Sequence, residues 1–233
     1  MIAKNLQFVN ERINGICLKT GRKRSDVKLI AVSKNFGSDA ISEAFNAGQL
    51  EFGENRAQEL SAKYEVLGSM VKWHFIGTLQ SNKARYAVKA ADLIHSIDSL
   101  ELLIEVDKQA AKLNKIQDIL LQYKTSFEDT KAGIRTEDDL FSVAEHCRTC
   151  KNINFIGLMT IAPFVDDAAV VRNSFSTLRL LKDKLNKKGF NLSELSMGMS
   201  DDFDIAIEEG ATMVRVGSAI FGTRDYSKTW KSL

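Results

Sequence analysis

The sequence predicts an α/β protein, a single (β/α)8 barrel of the TIM class with one extra helix at its N-terminus. Three observations predict it. Short apolar runs alternate with amphipathic helical stretches along the chain, strand then helix, for about eight rounds. The length, 233 residues with 44% hydrophobic and 27% charged, suits one globular domain with a large core, 1–233. No low-complexity linker or Pro-rich hinge divides it, and its 1 proline is Pro163. An open doubly wound sheet is the alternative. It usually has fewer units, and no GxGxxG follows the first strand here.

Taken in order, residues 1–25 form a helix and lead-in. Ile2, Leu6, Val9, Ile13 and Ile16 stand at helical spacing. Arg22, Lys23 and Arg24 read as a solvated connection. The first strand is 29–34, too short an apolar run for a helix. By alternation Ile30, Val32 and Lys34 share one face, and Leu29, Ala31 and Ser33 the other. Both faces accept burial, as in a parallel strand covered on both sides. A helix opens after Gly37, with Ser38 or Asp39 as cap. Strand–helix pairs then follow at 50–53 and 54–67, 71–76 and 81–90, 92–97 and 99–113, 116–124 and 137–147. They continue at 153–161 and 167–187, 192–197 and 201–209, 212–216 and 218–221.

The net charge of +2 is nearly balanced and no long basic block occurs, which gives no case for nucleic acid or an anionic membrane as partner. No signal-peptide h-region and no bilayer-spanning apolar segment is present. With 3 cysteines and no export signal, a reducing cytoplasm is expected. Cys147 and Cys150 form a lone CxxC with only His146 nearby, too few ligands for zinc, and are expected at a helix end.

A barrel places function at the C-terminal ends of its strands, often with a phosphate site after strands seven and eight. Lys34 sits at such an end, where partial desolvation lowers a lysine pKa and frees the amine to attack a carbonyl. The plainer alternative is a lysine that points to water or pairs with a carboxylate. After strand seven comes Ser196-Met197-Gly198-Met199-Ser200, and after strand eight Gly217-Ser218 enters a short helical turn. The glycines allow close backbone approach, the hydroxyls add donors, and helix starts favour anions. Each stretch alone is an ordinary tight turn; two at adjacent strand ends point to a phosphate. Arg215 lies inside a valine-rich strand, where an arginine must be paired or hydrogen-bonded. A salt bridge to a barrel carboxylate and a donor to a ligand are the two readings. Asn55 stands at the mouth after strand two. His74 and Ser96 can face the barrel, with a core histidine bonded to a backbone carbonyl as the plainer expectation. Leu158 to Thr160 is expected to supply an apolar wall. Lysine, phosphate cradle and arginine together suit an aldehyde-bearing phosphate. Pyridoxal 5'-phosphate (PLP) fits, and a Schiff-base aldolase acting on a sugar phosphate is the alternative.

Seven stretches then carry a resemblance. They are Ala31-Val32-Ser33-Lys34, Phe52-Gly53-Glu54-Asn55, Trp73-His74-Phe75-Ile76-Gly77-Thr78-Leu79-Gln80-Ser81-Asn82-Lys83, His95-Ser96-Ile97-Asp98, Gly157-Leu158-Met159-Thr160, Ser196 to Ser200, and Val214 to Gly222. In order and spacing, from about Leu29 to Arg224, the chain resembles the pyridoxal-phosphate homeostasis proteins, the YggS/PROSC family. The resemblance implies a barrel like the N-terminal domain of alanine racemase, with PLP on Lys34. It implies Ser200, Gly217 and Ser218 at the phosphate and Arg215 at the pyridine nitrogen. Asn55, Ser96 and Met199 complete the expected cofactor-binding set, with no catalytic residue and no metal. It also implies a cytoplasmic, monomeric PLP carrier in vitamin B6 and amino-acid homeostasis, with PLP-dependent apoenzymes as candidate recipients. Two stretches depart from the family pattern. Asn35-Phe36-Gly37 stands where the family has Thr-Lys-Pro, and Tyr123 to Gly133 lacks its Asn-x-Ser-x-Glu.

Two physical reasons favour holding over turnover. An arginine stays protonated, so a pyridine nitrogen facing it stays unprotonated and the ring is a weaker electron sink. The racemase uses a second domain for its tyrosine base, and no such stretch follows Arg224 here, so two-base proton transfer lacks one base. A low-activity PLP racemase or other PLP enzyme is the alternative.

Overall fold

Leu29 to Val32 are buried along their whole length, as a strand covered on both faces must be. The computed structural model describes residues 1–126 and 132–223. Among these residues, eight parallel strands close into a barrel in chain order. They are β1 (Lys28–Val32), β2 (Glu51–Glu54), β3 (Lys72–Phe75), β4 (Leu93–Ile97), β5 (Gln117–Gln122), β6 (Ile153–Met159), β7 (Glu194–Ser196) and β8 (Met213–Val216). Closure is made by β8 on β1, with Lys28 opposite Met213 and Ile30 opposite Arg215. The helices between strands are α2 (Ser38–Asn46), α3 (Ala57–Leu67), α4 (Ala84–Ala90), α5 (Leu100–Lys112), α6 (Glu137–Cys147), α7 (Ala168–Lys187) and α8 (Phe203–Glu208), with α9 (Ser218–Phe221) after the last strand. Side chains of Ser99, Thr136 and Asp167 cap α5, α6 and α7 by accepting backbone N–H bonds. This is the (β/α)8 barrel that the alternation predicted.

The expected N-terminal helix is α1 (Ile2–Lys19). Its stripe Ile2, Leu6, Val9, Ile13, Ile16 and Cys17 is buried, and it packs on α2, α8 and α9. The Asn5 side chain ties it to α9 through the Ile220 carbonyl at 2.8 Å.

Two cores follow from the period-2 alternation of the strands. The outer one, between strands and helices, holds Ala31, Phe52, Trp73, Ile94 and Phe175. The inner one, within the barrel, packs Ile30, Leu93, Leu120, Met159 and Met213. Beside those five the interior also holds His74, His95, Ser196 and Arg215, all buried.

Some boundaries differ from expectation. β1 ends at Val32, so Lys34 stands beyond the strand. The chain leaves the sheet at Ser33, whose N–H still bonds the Gly53 carbonyl, and Asn35 then turns at φ +63°. Asparagine tolerates that left-handed backbone better than most residues. Glu54, expected to open a helix, is the last residue of β2, and α3 begins at Ala57. Its carboxylate is fully buried and has to stay near its polar partners behind β1. Cys147 is the final residue of α6, as expected, and burial pushes its thiol up to about 12, away from thiolate chemistry. No described helix is long and apolar enough to cross a membrane.

Candidate functional site

The Lys34 turn rests on a buried charge cluster. Lys63 of α3 donates to the Ser33 carbonyl (2.9 Å), to Glu54 Oε1 (2.7 Å) and to Glu59 Oε1 (2.8 Å). Ser33 Oγ donates to Glu54 (2.7 Å), and the Asn35 N–H donates to Glu59 (2.7 Å). The backbone on both sides of Lys34 is thus held from below. Burial raises the Glu54 carboxyl to about 7, against the pull of Lys63 and with the repulsion of Glu59 adding to it. Phe36 stacks on Phe221 of α9, ring centres 5.0 Å apart, which ties this turn to the segment after the neighbouring strand β8.

Arg215 of β8 is 4% exposed. Its Nη1 donates to Ser196 Oγ (2.6 Å) and its Nη2 to the Thr160 carbonyl (2.9 Å). Among the described residues no carboxylate lies within ion-pair distance of it, so the salt-bridge expectation does not hold. Burial lowers the guanidinium to about 10, with Asp202 opposing, so it stays cationic at neutral pH. A guanidinium has five N–H donors. These partners take only part of that capacity.

The two Gly-Ser turns come together as expected. Ser218 Oγ and Ser200 Oγ are 3.3 Å apart. Gly198 adopts φ +93°, and a Cβ there would meet Ala206 Cβ at 2.6 Å and Phe203 Cα at 2.9 Å. Only glycine lets this turn pack on α8. The N–H of Met199 is taken by Asp202 Oδ1 at 2.5 Å, which fixes the turn.

Lys34, Asn55, Ser200, Arg215, Gly217 and Ser218 line one cavity of about 300 Å³. Val32, Ile76, Ile161 and Met199 form its apolar wall, and Asp201 also lines it. Ile161 replaces the wall expected from Leu158 to Thr160, because those residues turn into the core and toward Arg215. Asn55 carries a buried side-chain oxygen without a partner among the described residues. Other cavities are larger, about 400 Å³ beside Tyr123 and Asn173 and about 430 Å³ beside Asp98. Volume does not single this one out; the meeting of lysine, arginine and paired hydroxyls does.

Seven of the eight expected site residues therefore share a cavity. Ser96 does not line it; it is fully buried, and its hydroxyl has no partner among the described residues. The pairing of β4 with β5 shifts register between Ile94 and Ile97, which a sequence pattern does not reveal. The histidine expectation also fails. His74 and His95 bond each other (Nδ1 to Nε2, 2.8 Å) rather than backbone carbonyls. Missed altogether were Glu54, Glu59 and Lys63. Glu59 and Lys63 at i and i+4 look like a surface pair, and only the burial of that helix face marks them. The departure at Asn35-Phe36-Gly37 makes the turn and the Phe221 stack; of Tyr123 to Gly133, residues 127–131 lie outside the described residues.

Known proteins match closely. A family model for the alanine racemase N-terminal domain matches residues 10–225. A pyridoxal phosphate homeostasis protein of Aquifex aeolicus is 42% identical over 225 residues, 96% of this chain and 98% of that one. One from Vibrio alginolyticus is 39% identical, covering 97% and 99%. PipY of Synechococcus elongatus, solved with PLP bound, superposes with TM-score 0.84 at 38% identity over 95% of this chain and 100% of that one. Alanine racemase of Clostridium difficile shares the fold, TM-score 0.77 at 16% identity, over 93% of this chain and 56% of that one. With its closed barrel and its residues at the mouth, this chain belongs to the pyridoxal phosphate homeostasis proteins, built on the alanine racemase N-terminal-domain fold.

Proposed function

We propose that this chain binds PLP at the C-terminal mouth of its barrel, joined to Lys34 as a Schiff base, and serves vitamin B6 and amino-acid homeostasis as a holder of the cofactor without its own turnover. One observation carries the reading. A buried guanidinium with neutral partners lines the same cavity as Lys34 and the two serine turns.

The residues fit the group's three handles. A cavity of about 300 Å³ lies at the lower end of small-molecule sites. Ser200, Ser218 and the first N–H groups of α9 suit a phosphate. Asn55 brings an unsatisfied acceptor to the wall. When bound, PLP supplies an aldehyde and an electron-withdrawing ring. Arg215 donates and does not accept, so it holds a pyridine nitrogen in its unprotonated form. That weakens the ring as an electron sink and favours holding over turnover. The relatives' names and the PLP in PipY support the same reading. A cytoplasmic monomer that passes PLP to dependent apoenzymes completes the proposal.

An absorption spectrum tests it. Protein mixed with PLP is expected to show a near-visible band that borohydride fixes onto Lys34, and Lys34→Ala is expected to lose both band and adduct. A borohydride-trapped adduct that persists in Lys34→Ala moves the linkage to another lysine. Steady-state amino-acid turnover by pure protein, lost in that variant, makes the chain a low-activity racemase or other PLP enzyme instead.

A further inference from the structure

Behind Arg215 a single file of side chains runs down the barrel axis. Arg215 Nη1 meets Ser196 Oγ (2.6 Å), and Ser196 Oγ meets His95 Nδ1 (2.8 Å). His95 Nε2 meets His74 Nδ1 (2.8 Å), and His74 Nε2 meets Glu51 Oε2 (2.5 Å). Ser196, His95 and His74 are buried, and Glu51 begins β2 at the opposite face of the barrel. There Glu51 and His74 line a cleft with Lys28, Lys72, Asp92 and Lys115.

The two ends fix the polarity of the file. An arginine cannot accept and a carboxylate cannot donate. Arg215 therefore donates to Ser196, whose hydroxyl donates on to His95 Nδ1. His95 donates from Nε2 to His74 Nδ1, and His74 donates from Nε2 to Glu51. Every link is then one donor on one acceptor. The reverse arrangement needs a second proton on His74 and the other tautomer of His95. It aims two donors at Ser196 and leaves the hydroxyl hydrogen without an acceptor among the described residues. Burial, with His74 and Arg215 adding to it, pushes His95 well below the ordinary imidazole range, consistent with the neutral form. At the far end burial opposes ionisation of Glu51, but the bond from His74 and the charges of Lys28 and Lys72 outweigh it.

We propose that Ser196, His95, His74 and Glu51 are positioning residues for Arg215, a one-way hydrogen-bond file that aims the guanidinium at the cavity and joins it to the cleft on the opposite face. The file's effect on a ligand rests on the PLP reading above; its polarity does not. Because Ser196 already spends its own hydrogen on His95, it presents a lone pair to Arg215 and holds the planar fork in one orientation. That orientation leaves the other N–H groups to the cavity.

The test has two arms. Nitrogen NMR of the PLP-free protein is tractable with 3 histidines, and His146→Gln identifies the third. His74 and His95 are both expected as neutral Nε2–H tautomers at neutral pH; an Nδ1–H on either overturns the polarity. In the second arm, Ser196→Ala is expected to hold PLP about ten-fold more weakly, the worth of one charge-assisted bond, and to shift the bound absorption band. Ser196→Thr, which keeps the hydroxyl, is expected to restore both, which recovery of thermal stability alone does not mimic. A Ser196→Ala protein with wild-type retention and band, beside a Lys34→Ala protein that loses PLP, overturns the positioning role alone. Retention of PLP by Lys34→Ala overturns the Lys34 linkage of the proposed function instead, and the NMR arm still decides the polarity.

Discussion

Two buried polar groups flank the cavity, and they solve opposite problems. The cluster under Lys34 sets two carboxylates, Glu54 and Glu59, against one ammonium, Lys63. Among the described residues, one oxygen of each carboxylate has no partner. The file under Arg215 runs through a serine and two histidines, hydrogen-bonded one to the next. The first grips backbone, at the Ser33 carbonyl and the Asn35 N–H. The second grips a side chain. Charge suits the former, since a turn at φ +63° must be held against the strand it leaves. Neutral links suit the latter, since a second charge beside Arg215 would occupy the donors that a ligand needs.

Removing the central ammonium breaks this contrast hardest. Lys63→Met strands two buried carboxylates, and urea unfolding at neutral pH is expected to show a loss of about 3–5 kcal/mol. A smaller effect is expected from pH. Glu54 titrates higher folded than unfolded, so the native state binds more protons between the ordinary glutamate range and about 7. Its contribution is full at low pH, falls as pH rises across that window, and levels off above it. The slope is at most about 1.4 kcal/mol per pH unit. Glu54→Gln is expected to remove that component from unfolding curves measured across the window; an unchanged pH profile would place the titration elsewhere. The smallest effect belongs to the aromatic tie between the turns that follow β1 and β8. Phe36→Leu keeps an apolar contact with Phe221 but loses the stack, at a cost of about 0.5–1.5 kcal/mol in thermal or urea unfolding.

The sequence showed the barrel because strand and helix periods differ, and eight alternations leave few ways to close. It showed Lys34 and Arg215 because a charge at the end of, or inside, an apolar strand is out of place. The polar interior was harder to see. His74 and His95 lie on neighbouring strands, but their meeting depends on register, and β4 carries an irregularity just beyond His95. Glu54 followed a glycine and preceded a helical pattern, so its place at a strand end was hidden. Ser96, close to a strand end, was expected to face the barrel, yet it does not line the cavity, and β4 shifts its pairing with β5 between Ile94 and Ile97.

The seat of α1 has a consequence for how the polypeptide assembles. The Asn5–Ile220 bond spans 215 positions, and the surfaces that α8 and α9 offer to the apolar stripe of α1 come from the far end of the chain. During synthesis that stripe leaves the ribosome long before its seat exists. The seating of α1 is therefore a contact of very long sequence separation, a kind that is slow to form and that leaves greasy surface open to aggregation in the meantime.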